Sequence, residues 1–198
     1  MTARSLVLAS ASPARLRLLQ LAGLDPRVDV SDFDERSLTA TDPIELVEQL
    51  AVAKARVVAG RCCGELVLGC DSMLAFEGEV WGRAVDADEV VARWQRFRGR
   101  EGQLLTGHCL IDTADDNAMV SAVGVSTIRF GSPGDDELRA YATTDEALRV
   151  AGPFTIDGRA AAFVESIDGN AGNVIGVSLP LVRELLAKLN VRLTDLWL

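Results

Sequence analysis

Four short stretches of this 198-residue chain hold residue types suited to a phosphorylated ligand. In "LVLASASPARLRLL", residues 6–19, a buried strand breaks at Ser10-Ala11-Ser12 and restarts as a helix. Such a break leaves backbone N–H groups at the positive end of a helix dipole, where an anion binds well. Ser10 and Ser12 would add hydroxyl donors, and Arg15 and Arg17 positive charge. An ordinary serine-capped joint reads the same way. The second stretch is a helix over about 43–59. At 100° per residue, Leu46, Val47, Leu50, Ala51, Val57 and Val58 make one apolar stripe with Lys54 near its middle. An inward lysine is costly unless it meets a carboxylate or a bound anion, or its stem packs while its amine escapes to water. Asp71 is the third signal. It interrupts the apolar run "LVLGC", where a strand would deliver a carboxylate to a sheet end, although a turn-forming Asp beside Ser72 gives the same letters. The fourth is "DFDER": Asp32, Asp34 and Glu35 could hold a divalent cation through oxygen, or simply be solvated.

The elements that must carry these residues alternate between strand-like and helix-like, so the class is α/β, with no linker or repeat dividing the chain. Ser12 is placed to cap the first helix, with Pro13 at its first position. Asp42 is placed to cap the second, with Gly60 as its stop. "ELVLGCDSMLAF" reads as a long strand or strand pair, and "EGEVWG" has hairpin chemistry at Gly78. A third helix starts at Asp86, with Glu89 as a reciprocal cap and Gly99 as its end. Two long strands, a short acidic helix, a strand at "AAFVESI" and a last helix from Ser178 complete the series.

Composition removes several classes. A net charge of −9 is wrong for coating nucleic acid, though it leaves room for a small anion held by a local cluster. No apolar run reaches membrane-spanning length, and the segment ending at Ser10 is too short for a signal-peptide core. The chain therefore reads as cytoplasmic, with neither nucleic acid nor membrane as partner. Cys62, Cys63, Cys70 and Cys109 lack C-x-x-C spacing, and His108 is the only histidine. A histidine-rich zinc site is thus excluded, and oxygen ligands would suit Mg2+ or Mn2+.

Taken in order, these stretches resemble the Maf family of nucleotide pyrophosphatases. "SASPAR" is similar to its S-x-S-P-R-R loop, Asp34-Glu35 to its acidic pair, "AVAKA" to its A-x-x-K-A helix, and "GCDS" to its G-A-D-T strand end. "GEVWGR", "TGHCLI", "AGPFTIDG" and "NVIGVSLPL" resemble G-E-x-x-G-K, T-G-V-x-L, A-G-x-Y-x-I-Q-G and N-V-V-G-L-P-L, so the match runs from about Leu6 to Leu189. The resemblance implies one domain over 1–198 with two lobes, an elongated inosine-triphosphatase-like mixed sheet with flanking helices and a central cleft. It also implies hydrolysis of noncanonical or modified nucleoside triphosphates to the monophosphate and pyrophosphate, assisted by a divalent metal, and a homodimer.

Carried over residue by residue, the resemblance makes Asp71 the proton acceptor and a metal ligand with Glu35. Lys54 becomes catalytic, and Ser10, Ser12, Arg15 and Arg83 bind phosphate. The chain departs from the pattern at Ala14 for the first arginine, Ser72 for threonine and Asp157 for glutamine, which are places that set base preference. An aspartate there accepts hydrogen bonds without donating them. Arg83-Ala84 replaces K-P, and Arg149-Val150 replaces D-K. The Arg83 and Arg149-Val150 changes leave as the main rival a nucleotide-binding regulator that has lost turnover; the other readings are an interaction domain presenting exposed apolar residues such as Trp81, and a different metal-dependent phosphohydrolase.

Overall fold

The computed structural model describes residues 4–38 and 40–198. In chain order the elements are β1 (Leu6–Leu8), α1 (Pro13–Leu21), β2 (Arg27–Val28), α2 (Pro43–Ala59), β3 (Leu66–Phe76), β4 (Glu79–Trp81) and α3 (Ala87–Phe97). There follow β5 (Glu101–Asp112), β6 (Ala118–Phe130), α4 (Asp135–Ala142), α5 (Asp145–Arg149), β7 (Val164–Asp168), α6 (Ala171–Ile175) and α7 (Leu179–Lys188). Short 3-10 turns lie at Glu35–Ser37, Arg159–Phe163 and Leu193–Leu196. None of the described helices is long and apolar enough to cross a membrane.

The α/β class holds: one mixed sheet has the order β2-β1-β3-β5-β6-β7, with β4 paired to β3. β1 runs parallel to β2 and β3, whereas β3–β4 and β6–β7 are antiparallel. Start signals act largely as the sequence suggests. Ser12 Oγ accepts the Arg15 N–H, and Asp42 Oδ1 accepts the Ile44 N–H. The Glu77-Gly78 turn takes positive φ at both residues, the conformation a two-residue hairpin demands. At α3 the reciprocal cap is displaced by one residue: Asp86 accepts from Glu89 N, but the Glu89 carboxylate reaches Val85 N. The residues read as strand "AAF" form a 3-10 turn instead, and β7 begins at Val164.

The chain forms two compact units whose boundaries fall inside β3, β5 and β6 and between α6 and α7. The first comprises the chain up to Asp71, Thr106–Gly124 and Gly176–Leu198. Strand alternation sorts its side chains onto two faces. Leu66, Leu68 and Cys70 pack with Leu6, Leu8, Leu19 and Leu110, and with Val182, Leu185 and Leu186 of α7. On the other face Val7, Ala9, Val67, Cys109 and Ile111 meet Ala51, Ala55 and Val58 of α2. Val57 departs from the expected stripe; it is 39% exposed, and Ala55 takes its place. Two strand glycines set how closely α2 approaches. A Cβ at Gly69 would lie 2.3 Å from the Ala51 carbonyl oxygen, and one at Gly107 would lie 2.1 Å from that of Val47.

The second unit, Ser72–Leu105 and Val125–Ile175, is built around aromatic rings. Trp94 packs edge-on to Phe97, Phe130, Tyr141 and Phe163, and its Nε1–H donates to Pro153 O. Trp81 belongs to this cluster and is 8% exposed, which corrects the reading of it as a surface contact. Buried Asn173 donates to Leu104 O and Ser126 Oγ, tying α6 to β5 and β6.

His108, on β5, is completely buried. The Ser178 N–H donates to its Nε2 at 2.9 Å, so that nitrogen carries a lone pair, and Nδ1–H donates to Thr106 O at 2.9 Å. Burial pulls its pKa down to about 4 from the ordinary 6.5. The unfolded chain therefore takes up a proton below pH 6.5 while the folded chain does not, and stability falls until about pH 4.

Two outcomes are expected in equilibrium unfolding. Gly69→Ala loses at least about 2 kcal/mol, because the new methyl meets helix backbone that cannot step aside. Wild type loses on the order of 3 kcal/mol between pH 6.5 and 4 through its histidine, and His108→Gln lacks that component of the slope.

Candidate active site

The charged centre lies within the first unit and is assembled by α2 and β3. Val67, Gly69 and Asp71 alternate onto the helix-facing side of β3. The close approach over Gly69 sets Lys54, on the buried side of α2, directly on Asp71. The Lys54 Nζ donates to Asp71 Oδ1 at 2.5 Å and to Glu35 Oε1 at 2.6 Å. Lys54 is 9% exposed and Asp71 6%, whereas the Glu35 side chain is 54% exposed. One ammonium thus bridges an interior carboxylate and one at the water boundary. Burial raises the Asp71 pKa above the usual carboxylate range, while the Lys54 and Arg15 charges pull it back.

The strand-to-helix break follows β1, whose Leu8 pairs with Leu68 of β3. Ser10 Oγ accepts from Ser12 N at 3.2 Å and from Arg15 Nη1 at 3.0 Å. With two donors aimed at that oxygen, its own hydrogen points toward an acceptor elsewhere. Arg15 is buried and bonded within the protein: Nη1–H bonds reach Ser10 Oγ and Cys70 O, and Nε–H reaches Gly176 O at 3.0 Å. Arg15 therefore fastens three segments together: the loop, the residue before Asp71, and the entry to α7. Gly176 permits this, because φ is +122° there and a Cβ would stand 2.9 Å from Arg15 Nε. Neither anchoring carbonyl was legible in the sequence; the only signal was the glycine within "NVIGVSLPL".

Ser10, Ser12, Arg15, Glu35, Lys54 and Asp71 all belong to one unit, in two bonded groups that Arg15 links through the Cys70 carbonyl. Ala14 is half-buried on α1, and Arg17 is exposed. Ser72, Arg83 and Asp157 belong to the second unit. Arg83 is exposed, in a segment whose Gly82 and Arg83 carbonyls accept from Arg93. Asp157 is exposed and accepts the Thr155 hydroxyl proton. Arg149 pairs with Asp145 along the surface of α5.

The two outer aspartates do other work. Asp34 caps the 35–37 turn through Arg36 N, and Asp32 adopts a left-handed conformation. Among the described residues there is no group of three or more His, Cys, Asp or Glu side chains arranged as a metal cage. Glu35 and Asp71 nevertheless converge on one point, the Lys54 ammonium. Two carboxylates are the donor set magnesium takes when substrate phosphates and water complete its shell. The site fits such an ion and not a closed structural one.

An α/β unit that gathers a hydroxyl-bearing loop at a helix N-terminus, an inward lysine and two carboxylates has the parts of a phosphate-handling enzyme. The family model described as Maf-like protein matches residues 5–189, and the chain belongs to this family. It is 56% identical over 196 residues to the nucleoside triphosphate pyrophosphatase of Streptomyces avermitilis, spanning 98% of this chain and 95% of that protein. A protein of the same name from Streptomyces coelicolor is 55% identical with the same coverage, and one from Trichormus variabilis is 47% identical over 96% of both chains.

Removal of the ammonium leaves a buried carboxylate without its counter-charge. Lys54→Met is expected to lose about 3 kcal/mol in denaturant unfolding at neutral pH. The double variant Lys54→Met with Asp71→Asn recovers most of that loss, since the stranded charge is gone.

Proposed function

We propose that this protein hydrolyses nucleoside triphosphates to the monophosphate and pyrophosphate, with chemistry centred on Asp71. The observation that carries the reading is the Lys54 ammonium held between Asp71 and Glu35, with Arg15 joining Ser10 of the loop to the carbonyl of Cys70, the residue before Asp71. Asp71 accepts a proton from water as its oxygen attacks the α-phosphorus, and the bond to the α–β bridging oxygen breaks. The pyrophosphate departs with that oxygen. Burial lifts the proton affinity of Asp71 toward the working pH, which is what a general base requires.

Lys54 orients the base and supplies positive charge where the phosphoryl oxygens gather negative charge. The Ser10 hydroxyl and the N-terminus of α1 bind phosphate oxygens, with Ser12 shaping that N-terminus. Arg15 contributes its charge from behind the loop that it holds. Glu35 and Asp71 would hold a divalent cation, Mg2+ or Mn2+, which when bound neutralises phosphate charge as a Lewis acid. Arg83 is assigned to the leaving phosphates; arginine keeps the charge of the family's lysine with a forked geometry.

Base preference is assigned to Ala14, Ser72 and Asp157. Thr155 donates to one Asp157 oxygen, and the carboxylate can only accept further bonds, so it favours bases that present amino or imino hydrogens. The substrate class is noncanonical or modified triphosphates. A cytoplasmic setting suits four cysteines that are all free thiols. A regulator without turnover is not favoured, since the curated relatives carry the enzyme's name and the three charged groups remain in contact.

A nucleotide panel with Mg2+ or Mn2+, read by pyrophosphate and monophosphate release, tests this reading. The two products are expected in equal amounts, with rates that differ among bases, and Asp71→Asn is expected to reduce kcat by about a thousandfold. Asp157→Gln should reorder the base ranking. Release of orthophosphate from the triphosphate, or full activity in the Asp71 variant, would refute the assignment.

A further inference from the structure

His108 stands where the family pattern T-G-V-x-L has valine, and nothing in the chemistry above uses it. A completely buried histidine in a place that an apolar residue can fill demands a reason, because desolvation penalises its charged form and leaves its ring nitrogens in need of partners. The partners it finds are informative. Nδ1–H is taken by Thr106 O on its own strand, and Nε2 receives the N–H of Ser178. Ser178 caps α7 through its hydroxyl, which accepts the Leu181 N–H. Two residues earlier, the Gly176 carbonyl accepts from Arg15 Nε, and Arg15 holds Ser10 Oγ and Cys70 O. A continuous path of hydrogen bonds and two residues of backbone thus leads from His108 to the phosphate loop and to the residue before Asp71.

We propose that His108 is a positioning residue for the phosphate loop, acting through the 176–178 segment and Arg15. This inference rests on the pyrophosphatase reading. The relay requires the neutral ring with its proton on Nδ1, since an imidazolium cannot accept from Ser178 N–H. Few other charges reach the ring. Arg15, on α1, is the charged group that acts on it, and it too disfavours protonation. Cys70, on the same face of β3, is a thiol whose pKa burial pushes up to about 11. Cys109 points to the opposite face of β5 and is held neutral likewise. On α7, Arg183 and Glu184 are exposed and pair with each other. Val120 and Ala122 of β6 pack on this face without a titratable group.

The test uses the full-length protein and the fact that it has a single histidine. Nitrogen-15 spectra of the wild-type imidazole should show the Nδ1–H tautomer at pH 7, and its signals should move when inorganic pyrophosphate fills the site. In steady-state kinetics His108→Val is expected to lower kcat/KM by about tenfold, mainly through KM. His108→Gln, whose amide oxygen can accept from Ser178 N–H, should stay within about threefold of wild type. In an Arg15→Gln background the valine change should cost less than about twofold, because the path is already cut. An Nε2–H tautomer, or equal valine effects in both backgrounds, would overturn the proposal. Wild-type turnover judges the pyrophosphatase reading by itself, and should that fail, the tautomer and the pyrophosphate response still decide the relay.

Discussion

The contact on which the rest of the first unit depends is the pairing of Lys54 with Asp71 in the interior. A buried carboxylate and a buried ammonium each carry a large desolvation cost, and only close mutual contact offsets it. That contact requires α2 to lie almost on the sheet. Gly69 and Gly107 make this possible, because each leaves space where a methyl group would strike helix backbone. Glu35 then meets the same ammonium from the solvent side, so the pair is open at one end to a substrate and to bulk water.

The anion-binding loop is held by a different means. Here neutral acceptors, the Gly176 and Cys70 carbonyls and the Ser10 hydroxyl, absorb the donors of Arg15. A guanidinium fixed in this way is pre-organised, and the loop that it secures loses little freedom on meeting a phosphate. The ion pair and the neutral clamp meet at two consecutive residues of β3, Cys70 and Asp71.

Much of this could be read from the chain before any coordinates. Lys54 was legible because a helix period is strict enough to expose one charge among apolar neighbours, and Asp71 because it interrupts a strand-like run. The caps at Ser12, Asp42 and Asp86 follow from local chemistry. What stayed hidden was non-local. The anchors of Arg15 lie 55 and 161 residues away and are backbone carbonyls, which carry no side-chain signature. The strand glycines carry no local signal of their role, which exists only once α2 lies over them. Val57 was misplaced because Ala55, a weak hydrophobe, proved to be the inward residue. The two-residue β2 and the five-residue α5 and α6 are too short to display a period.

β3 obeys the two-residue repeat of any strand, and at Cys70 and Asp71 its alternation divides a hydrocarbon layer from an ion pair. Displacing its pairing by a single step would turn the Cys70 thiol toward the α2 lysine and drive the Asp71 carboxylate among leucines. Folding errors of that kind would disable the reaction and the core at once. Selection for catalysis and selection for correct strand alignment therefore act on the same few hydrogen bonds.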